Sequence, residues 1–238
     1  MDQDKIIAKY LPYLKEIQQK LLHVILVFFT AGAIGFIYYQ KIIGLIMRIF
    51  KLDGVNIVLT SPYQFINLAV NCGLLIGLIF ALPLLGYHLV HFLKPALKTR
   101  EFRLLTRLYP ISLVLFIIGF LFGAWIIQLV ISLYTQVSQQ FAIQNLWDIG
   151  NFFSQILSTG ILMGLVFQMP IILFALLSLK IISLAGLKKS RKYVYTAILV
   201  FVALLPPNDI ISLIVLSIPP LLLFELTLIL YQSSSKQS

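Results

Sequence analysis

Glu101 is the one acid in the stretch Phe92-Leu-Lys-Pro-Ala-Leu-Lys-Thr-Arg-Glu-Phe-Arg103, where Lys94, Lys98, Arg100 and Arg103, with Arg107 just beyond, supply positive charge. A carboxylate kept among cations either neutralises its neighbours or is reserved for an incoming cation. If that cation is a guanidinium, the chemistry is a planar, bidentate, charge-assisted pair. Glu16 offers the same chemistry, four residues before Lys20 on one helical face. Two further polar groups, Gln168 and Glu225, lie inside apolar runs. Such groups are costly in a membrane and face a neighbouring helix or a wet cavity. For Gln168 an interhelical hydrogen bond and a functional role weigh about equally. Glu225 reads as a residue near the end of its span that reaches the interface.

Patterns for catalysis are absent. There is no His-Glu-x-x-His, no Gly-Lys-Ser/Thr phosphate loop and no Gly-x-Ser-x-Gly. His23, His88 and His91 stand near the ends of apolar runs and read as interfacial histidines rather than metal ligands. Cys72 is the single cysteine, so it forms no internal disulfide, and no metal-ligand cluster accompanies it. The chain reads as a non-enzyme with no cofactor and no metal.

The elements that position these residues are set by composition. Sixty per cent of the 238 residues are apolar and 11% are charged, against about 25% charged in an ordinary soluble domain. The fold class is all-α, a polytopic integral membrane protein forming a single domain over 1–238. The net charge of +10 does not signal nucleic acid, because the cations sit in short clusters between apolar segments, where they set topology and meet lipid headgroups. Six spans are predicted at about 21–39, 66–92, 108–134, 152–179, 193–205 and 211–231. A short amphipathic helix over 10–22, with Pro12 in its first turn, leads into the first span. Residues 42–50 are apolar but short, which predicts an interfacial or re-entrant helix. Pro83, Pro170 and Pro219-Pro220 are expected to interrupt spans 2, 4 and 6. The fifth span has 13 residues, about 20 Å of rise against roughly 30 Å of hydrocarbon. No small-residue cleavage site precedes the first span, so no removable signal peptide is expected.

Six spans put both termini on one side. Lys41, Arg48 and Lys51 fall on the other; the remaining 15 of the 18 Lys and Arg share the side of the termini, which predicts that both are cytoplasmic. Spans 2, 3 and 4 carry Gly73/Gly77, Gly119/Gly123 and Gly160/Gly164, a spacing that lets helix backbones approach closely. A small secondary transporter or channel is the alternative class, but no repeat and no charged pair at mid-membrane supports it.

The segments Tyr13–Leu21, Ser61-Pro62, Phe92–Glu101, Gly164–Pro170 and Pro207–Glu225 together resemble those of one family, TatC, the core subunit of the twin-arginine protein translocase. Tyr13-Leu-Lys-Glu-Ile-Gln-Gln-Lys-Leu21 is similar to its His-Leu-x-Glu-Leu-Arg-x-Arg-Leu start. Ser61-Pro62 resembles the Ser-Pro segment before its second span, and Phe92-Leu-Lys-Pro95 with Glu101 resembles its Phe-x-x-Pro-x-Leu-x-x-x-Glu loop. Gly164-Leu-Val-Phe-Gln-Met-Pro170 is similar to Gly-x-x-Phe-Glu-x-Pro, and Pro207-Asn-Asp209, Ile218-Pro219 and Glu225 resemble the Pro-Pro-Asp, Ile-Pro and Glu of its end. Gln18 stands where the family usually has Arg, and Gln168, which cannot titrate, where many members have Glu. The resemblance implies a glove-shaped bundle with short fifth and sixth spans. It implies that Glu16 and Glu101, with Phe92 and Pro95, bind the paired arginines of signal peptides on folded cargo. Ser61, Pro62, Pro83, Asp209 and Pro219 match other family positions. Implied partners are the lipid bilayer, small single-span TatA/TatB-type subunits and further copies of the chain. The implied location is a bacterial inner membrane or, as the alternative, a thylakoid or mitochondrial inner membrane.

Overall fold

The structure is a computed structural model and describes residues 3–49, 56–58, 61, 63–141, 146–206 and 209–236. Helix α1 (Gln3–Ile37) is continuous over 35 residues. The lead-in helix and the first span are therefore one element, and Pro12 does not open it. The cause is local: from residue 13 to residue 31 no Gly or Pro intervenes, and the Glu16–Lys20 pair bridges the junction with the apolar run. A turn at Tyr38 leads into α2 (Tyr39–Ile49), which at about 16 Å is too short to cross a bilayer. Its Tyr39, Ile43, Ile46 and Met47 form one stripe against a core of Leu68, Ile127, Ile131 and Phe152, while Lys41, Leu45 and Arg48 face outward. This is the short, non-spanning helix that the sequence predicts.

Strand β1 (Asn56–Val58) pairs in parallel with β2 (Leu146–Asp148), Asn56 opposite Leu146 and Val58 opposite Asp148. These three-residue strands are the only departure from an all-helical chain among the described residues. They tie together two connections at the same end of the bundle.

Helix α3 (Gln64–Leu93) runs through Pro83 without the expected interruption. The Pro83 carbonyl accepts the Tyr109 hydroxyl at 2.8 Å, so the neighbouring helix clamps the chain at that point. Helix α4 (Thr99–Gln140) has 42 residues, about 63 Å, with Pro110 inside it. It starts well before residue 108. Most of the cationic segment is thus helical rather than loop, and the connection from α3 is a single 3₁₀ turn, Lys94–Ala96, followed by Leu97 and Lys98.

Helix α5 (Ile149–Val166) ends at a break over Phe167 and Gln168, and α6 (Met169–Ser178) resumes with Pro170 in its first turn. Here the expected interruption occurs. Helix α7 (Leu184–Lys189) precedes α8 (Arg191–Ala203), the short fifth span. Helix α9 (Ile210–Lys236) has 27 residues, so the sixth span is not short, and Pro219-Pro220 do not interrupt it. Leu216 on one side of the prolines and Phe224 on the other are fully buried, so packing holds the helix through a place where two amide donors are missing. Among the described residues five segments are long and apolar enough to cross a membrane: Lys15–Ile37, Gln64–Leu93, Thr99–Ser138, Ile149–Ser178 and Ile210–Ser233. Helix α8, with 13 residues, falls short of that length.

Two interfaces organise the bundle. On the first, α4 and α5 lie antiparallel with glycines facing each other. A Cβ at Gly119 would sit 2.7 Å from the Met163 carbonyl, and one at Gly123 2.7 Å from the Thr159 carbonyl. On the second, α1 packs on α3, where Gly73 meets the Gly32 carbonyl and Gly77 meets Phe28. All three predicted Gly-x-x-x-Gly pairs are packing sites. Gly32 and Gly35 of α1 are further contact glycines that no such spacing announces.

Candidate functional site

The end of the bundle where α1 approaches the close of α3, and where α4 begins, carries both candidate acids. Glu16 lies on α1 and is about half exposed. Its Oε1 is 2.5 Å from Lys20 Nζ, and that ammonium lies 6.0 Å from the centroid of the Phe92 ring at the end of α3. Pro95 sits inside the 3₁₀ turn that follows, where its fixed φ fits the tight geometry.

Glu101 is the third residue of α4. Its Oε2 accepts the backbone N–H of Lys98 at 2.8 Å, which is half of a capping box at the helix start. A carboxylate there also complements the positive end of the helix. Phe102, beside it, contacts His91 at 5.8 Å between ring centroids and lies 5.6 Å from Lys94 Nζ. Glu16 and Glu101 therefore flank the same end of α3, one on each neighbouring helix. The three histidines belong to this region too: His23 and His88 are 5.6 Å apart, and His91 stacks on Tyr87 at 4.1 Å. They hold α1, α3 and α4 together through ring contacts.

Of the other sequence-predicted residues, Gln168 and Glu225 bind helix to helix. Gln168, at the α5–α6 break, accepts the Ser112 hydroxyl of α4 at 2.6 Å and donates to the Ser112 carbonyl at 3.0 Å. Its amide also reaches the Gly164 carbonyl at 3.4 Å. At the break the Gln168 backbone N–H turns to Leu165 instead of Gly164, and the side chain covers the carbonyl so released. The interhelical reading of Gln168 is thus the one that the geometry shows. Glu225 of α9 accepts Arg191 Nη2 at 2.7 Å and the Tyr195 hydroxyl, joining α9 to the first turns of α8 near the cationic end. Asp209 caps α9: its carboxylate accepts the Ser212 amide at 2.8 Å and the Ser212 hydroxyl at 2.6 Å. Ser61 shapes the turn into α3, its Oγ accepting the Tyr63 amide at 3.4 Å. Pro62 lies outside the described residues. Pro83 and Pro219 are helix-interior residues.

Sequence reasoning missed the cross-helix partners Ser112, Arg191, Tyr195 and Phe102. Only Ser112 left a signal, a hydroxyl within an apolar run. The α8–α9 turn was also unforeseen in depth. The Pro206 carbonyl accepts the Thr159 hydroxyl, and Thr159 is ten residues into α5, so the turn stops about 15 Å short of the start of α5.

These features define a multi-span helical membrane protein with both candidate acids at one end of the bundle and an amide-sealed helix break at Phe167 and Gln168 inside it. The family described as Sec-independent protein translocase protein (TatC) matches residues 12–219. The chain belongs to the TatC family, a protein translocase family and not an enzyme family. TatCy of Bacillus subtilis (strain 168) is 29% identical over 235 residues, 96% of this chain and 90% of the relative. TatC of Aquifex aeolicus (strain VF5) is 27% identical over 231 residues, 94% of this chain and 95% of the relative. The crystal structure of a twin-arginine translocase receptor, TatC, superposes with a TM-score of 0.77 at 26% identity, covering 94% of this chain and 99% of that one.

Proposed function

We propose that this chain is the receptor of a twin-arginine translocase in a bacterial inner membrane, with both termini cytoplasmic. Glu16 and Glu101 receive the paired arginines of a signal peptide on folded cargo. Phe92 and Pro95 shape the surface between the two acids. The receptor then gathers small single-span TatA/TatB-type subunits and further copies of itself, and the proton-motive force drives transport. The observation that carries this reading is that the two acids flank the same end of α3 and, among the described residues, are held by groups within four residues of themselves, Lys20 and the Lys98 amide. Exposed pairs of this kind are weak, so a guanidinium offering two parallel N–H donors can replace them.

The test is binding of an Arg-Arg signal peptide to inside-out membrane vesicles that contain the full chain. Glu16→Ala or Glu101→Ala should each weaken binding about tenfold or more, since a charge-assisted contact is worth roughly 1.5–3 kcal/mol and 1.4 kcal/mol is a decade. The amount of chain in the membrane should not fall, and right-side-out vesicles should bind nothing. Parental binding by both alanine variants would end the receptor assignment.

A further inference from the structure

Lys20 is in an unusual position for a surface cation. Its ammonium touches the Glu16 carboxylate at 2.5 Å and faces the Phe92 ring at 6.0 Å, so it bridges α1 and α3. The side chain is only 24% exposed, against 48% for Glu16. Its stem lies in a groove of about 310 Å³ between the two helices, lined by Ile17, Leu21, Val24, Leu85, His88 and Leu89. The place where an acid of α1 and an aromatic ring of α3 converge is therefore already filled by a cation from the chain itself.

We propose that Lys20 is a tethered competitor for the arginine site, and that this internal lysine sets the preference for arginine over lysine; the inference rests on the receptor reading above. A lysine from a peptide would make the same two contacts as Lys20, an ammonium on a carboxylate and over a ring. Lys20 makes them from a short tether, at an effective concentration of about a millimolar or more. A peptide lysine below that concentration cannot displace it. A guanidinium brings a second N–H to the carboxylate and a flat face to the ring, and so it can. Discrimination then arises from what each ligand must displace as well as from what it gains.

The test is a graded series at one position, with the full chain in lipid vesicles and two synthetic peptides, one Arg-Arg and one Lys-Lys. Lys20→Gln removes the competitor, and Lys20→Arg strengthens it. Arg-Arg affinity should fall in the order Gln, Lys, Arg, and the Lys-Lys peptide should bind Lys20→Gln about tenfold tighter than the parent, the share of one charge-assisted contact. If Lys20 merely positions Glu16, Lys20→Arg should bind like the parent and Lys20→Gln should lose affinity, which overturns the proposal. Equal binding across the series overturns it too. Glu16→Ala is measured in parallel. Its loss of Arg-Arg binding keeps the receptor reading whichever way the Lys20 series falls. If Glu16→Ala binds normally, the receptor reading fails and takes this proposal with it.

Discussion

The polar residues that join distant helices and those that flank the end of α3 are built on opposite plans. Gln168, Glu225 and Thr159 each join helices whose sequences are far apart, to Ser112, to Arg191 and Tyr195, and to Pro206. Glu16 and Glu101 instead hold Lys20 and the Lys98 amide, within one helical turn. A long-range contact fixes one helix against another, and breaking it leaves a partner on the second helix unsatisfied. A local contact at the surface can be exchanged without moving a helix. The family likeness alone gives all these residues the same standing; their partners sort them into fold and recognition.

The sharpest way to break this comparison is at the glycines, where the fold side should show its largest effect. Gly123→Leu drives a side chain into the Thr159 backbone, which lies 2.7 Å from where a Cβ would stand. Backbone cannot yield as a side-chain end can, so α4 and α5 must separate. The expected loss is about 3 kcal/mol or more, read as a collapse of the thermal transition in detergent. Gly44 on α2 is the control, since nothing lies within 4 Å of a Cβ there. Gly44→Ala should gain about 0.5–1 kcal/mol from helix propensity. Similar losses at both positions would mean that the glycine interface does not bear the fold.

A middle-sized effect is expected at the break. Gln168→Leu removes both contacts to Ser112 and uncovers the Gly164 carbonyl. Stability should fall by about 2 kcal/mol, and transport of a cargo protein should fall with it while Arg-Arg peptide binding stays at the parental level. Gln168→Glu, when protonated, accepts from the Ser112 hydroxyl and donates one hydrogen bond where the amide donates two, so its loss should lie between those of the parent and Leu. A drop in peptide binding would move Gln168 into the recognition group and blur the distinction.

The sequence exposed whatever follows from runs and periods. Apolar length announced the five long membrane-crossing helices found among the described residues, and the glycine spacing located the α4–α5 interface. Pro170 announced a break that the structure puts at Phe167 and Gln168, just before it. Five other prolines, at 12, 83, 110, 219 and 220, lie inside unbroken helices. Proline removes a donor everywhere, and tertiary packing decides whether the helix bends. At Pro83 the Tyr109 clamp decides, and at Pro219-Pro220 the burial of Leu216 and Phe224 does. No local pattern carries that information. The start of α4 was hidden for a related reason: a dense run of charge looks like loop, yet Glu101 closes a cap on Lys98 and turns the same residues into a helix end. For the site, the acids were legible because a lone carboxylate among cations stands out. Lys20 was visible only as a helical neighbour of Glu16, because its contact with Phe92 crosses from α1 to α3.

The smallest effect concerns Lys180, a cation on the cytoplasmic side of the proposed topology that local geometry assigns to the fold. It has φ of 57°, left-handed backbone that favours glycine. It follows the last residues of α6, where the Lys180 amide donates to the Leu177 carbonyl at 3.1 Å and the Ile181 amide to the Leu176 carbonyl at 3.0 Å. This pair of bonds is a Schellman close, and its left-handed position is one that glycine usually fills. A lysine there carries strain that Lys180→Gly should relieve, while glycine gives back part of the gain through a freer unfolded chain. The net expectation is a stabilisation of about 0.5 kcal/mol, a small upward shift of the thermal transition. Arg-Arg peptide affinity should not change, because no contact links Lys180 to the Glu16–Phe92 region among the described residues. If Lys180→Gly is stabilised and binds as before, the residue is a strained helix end whose charge serves topology alone. If it is stabilised but loses peptide affinity, the recognition surface extends from the start of α4 to the close of α6, and the line between the two plans runs through this turn.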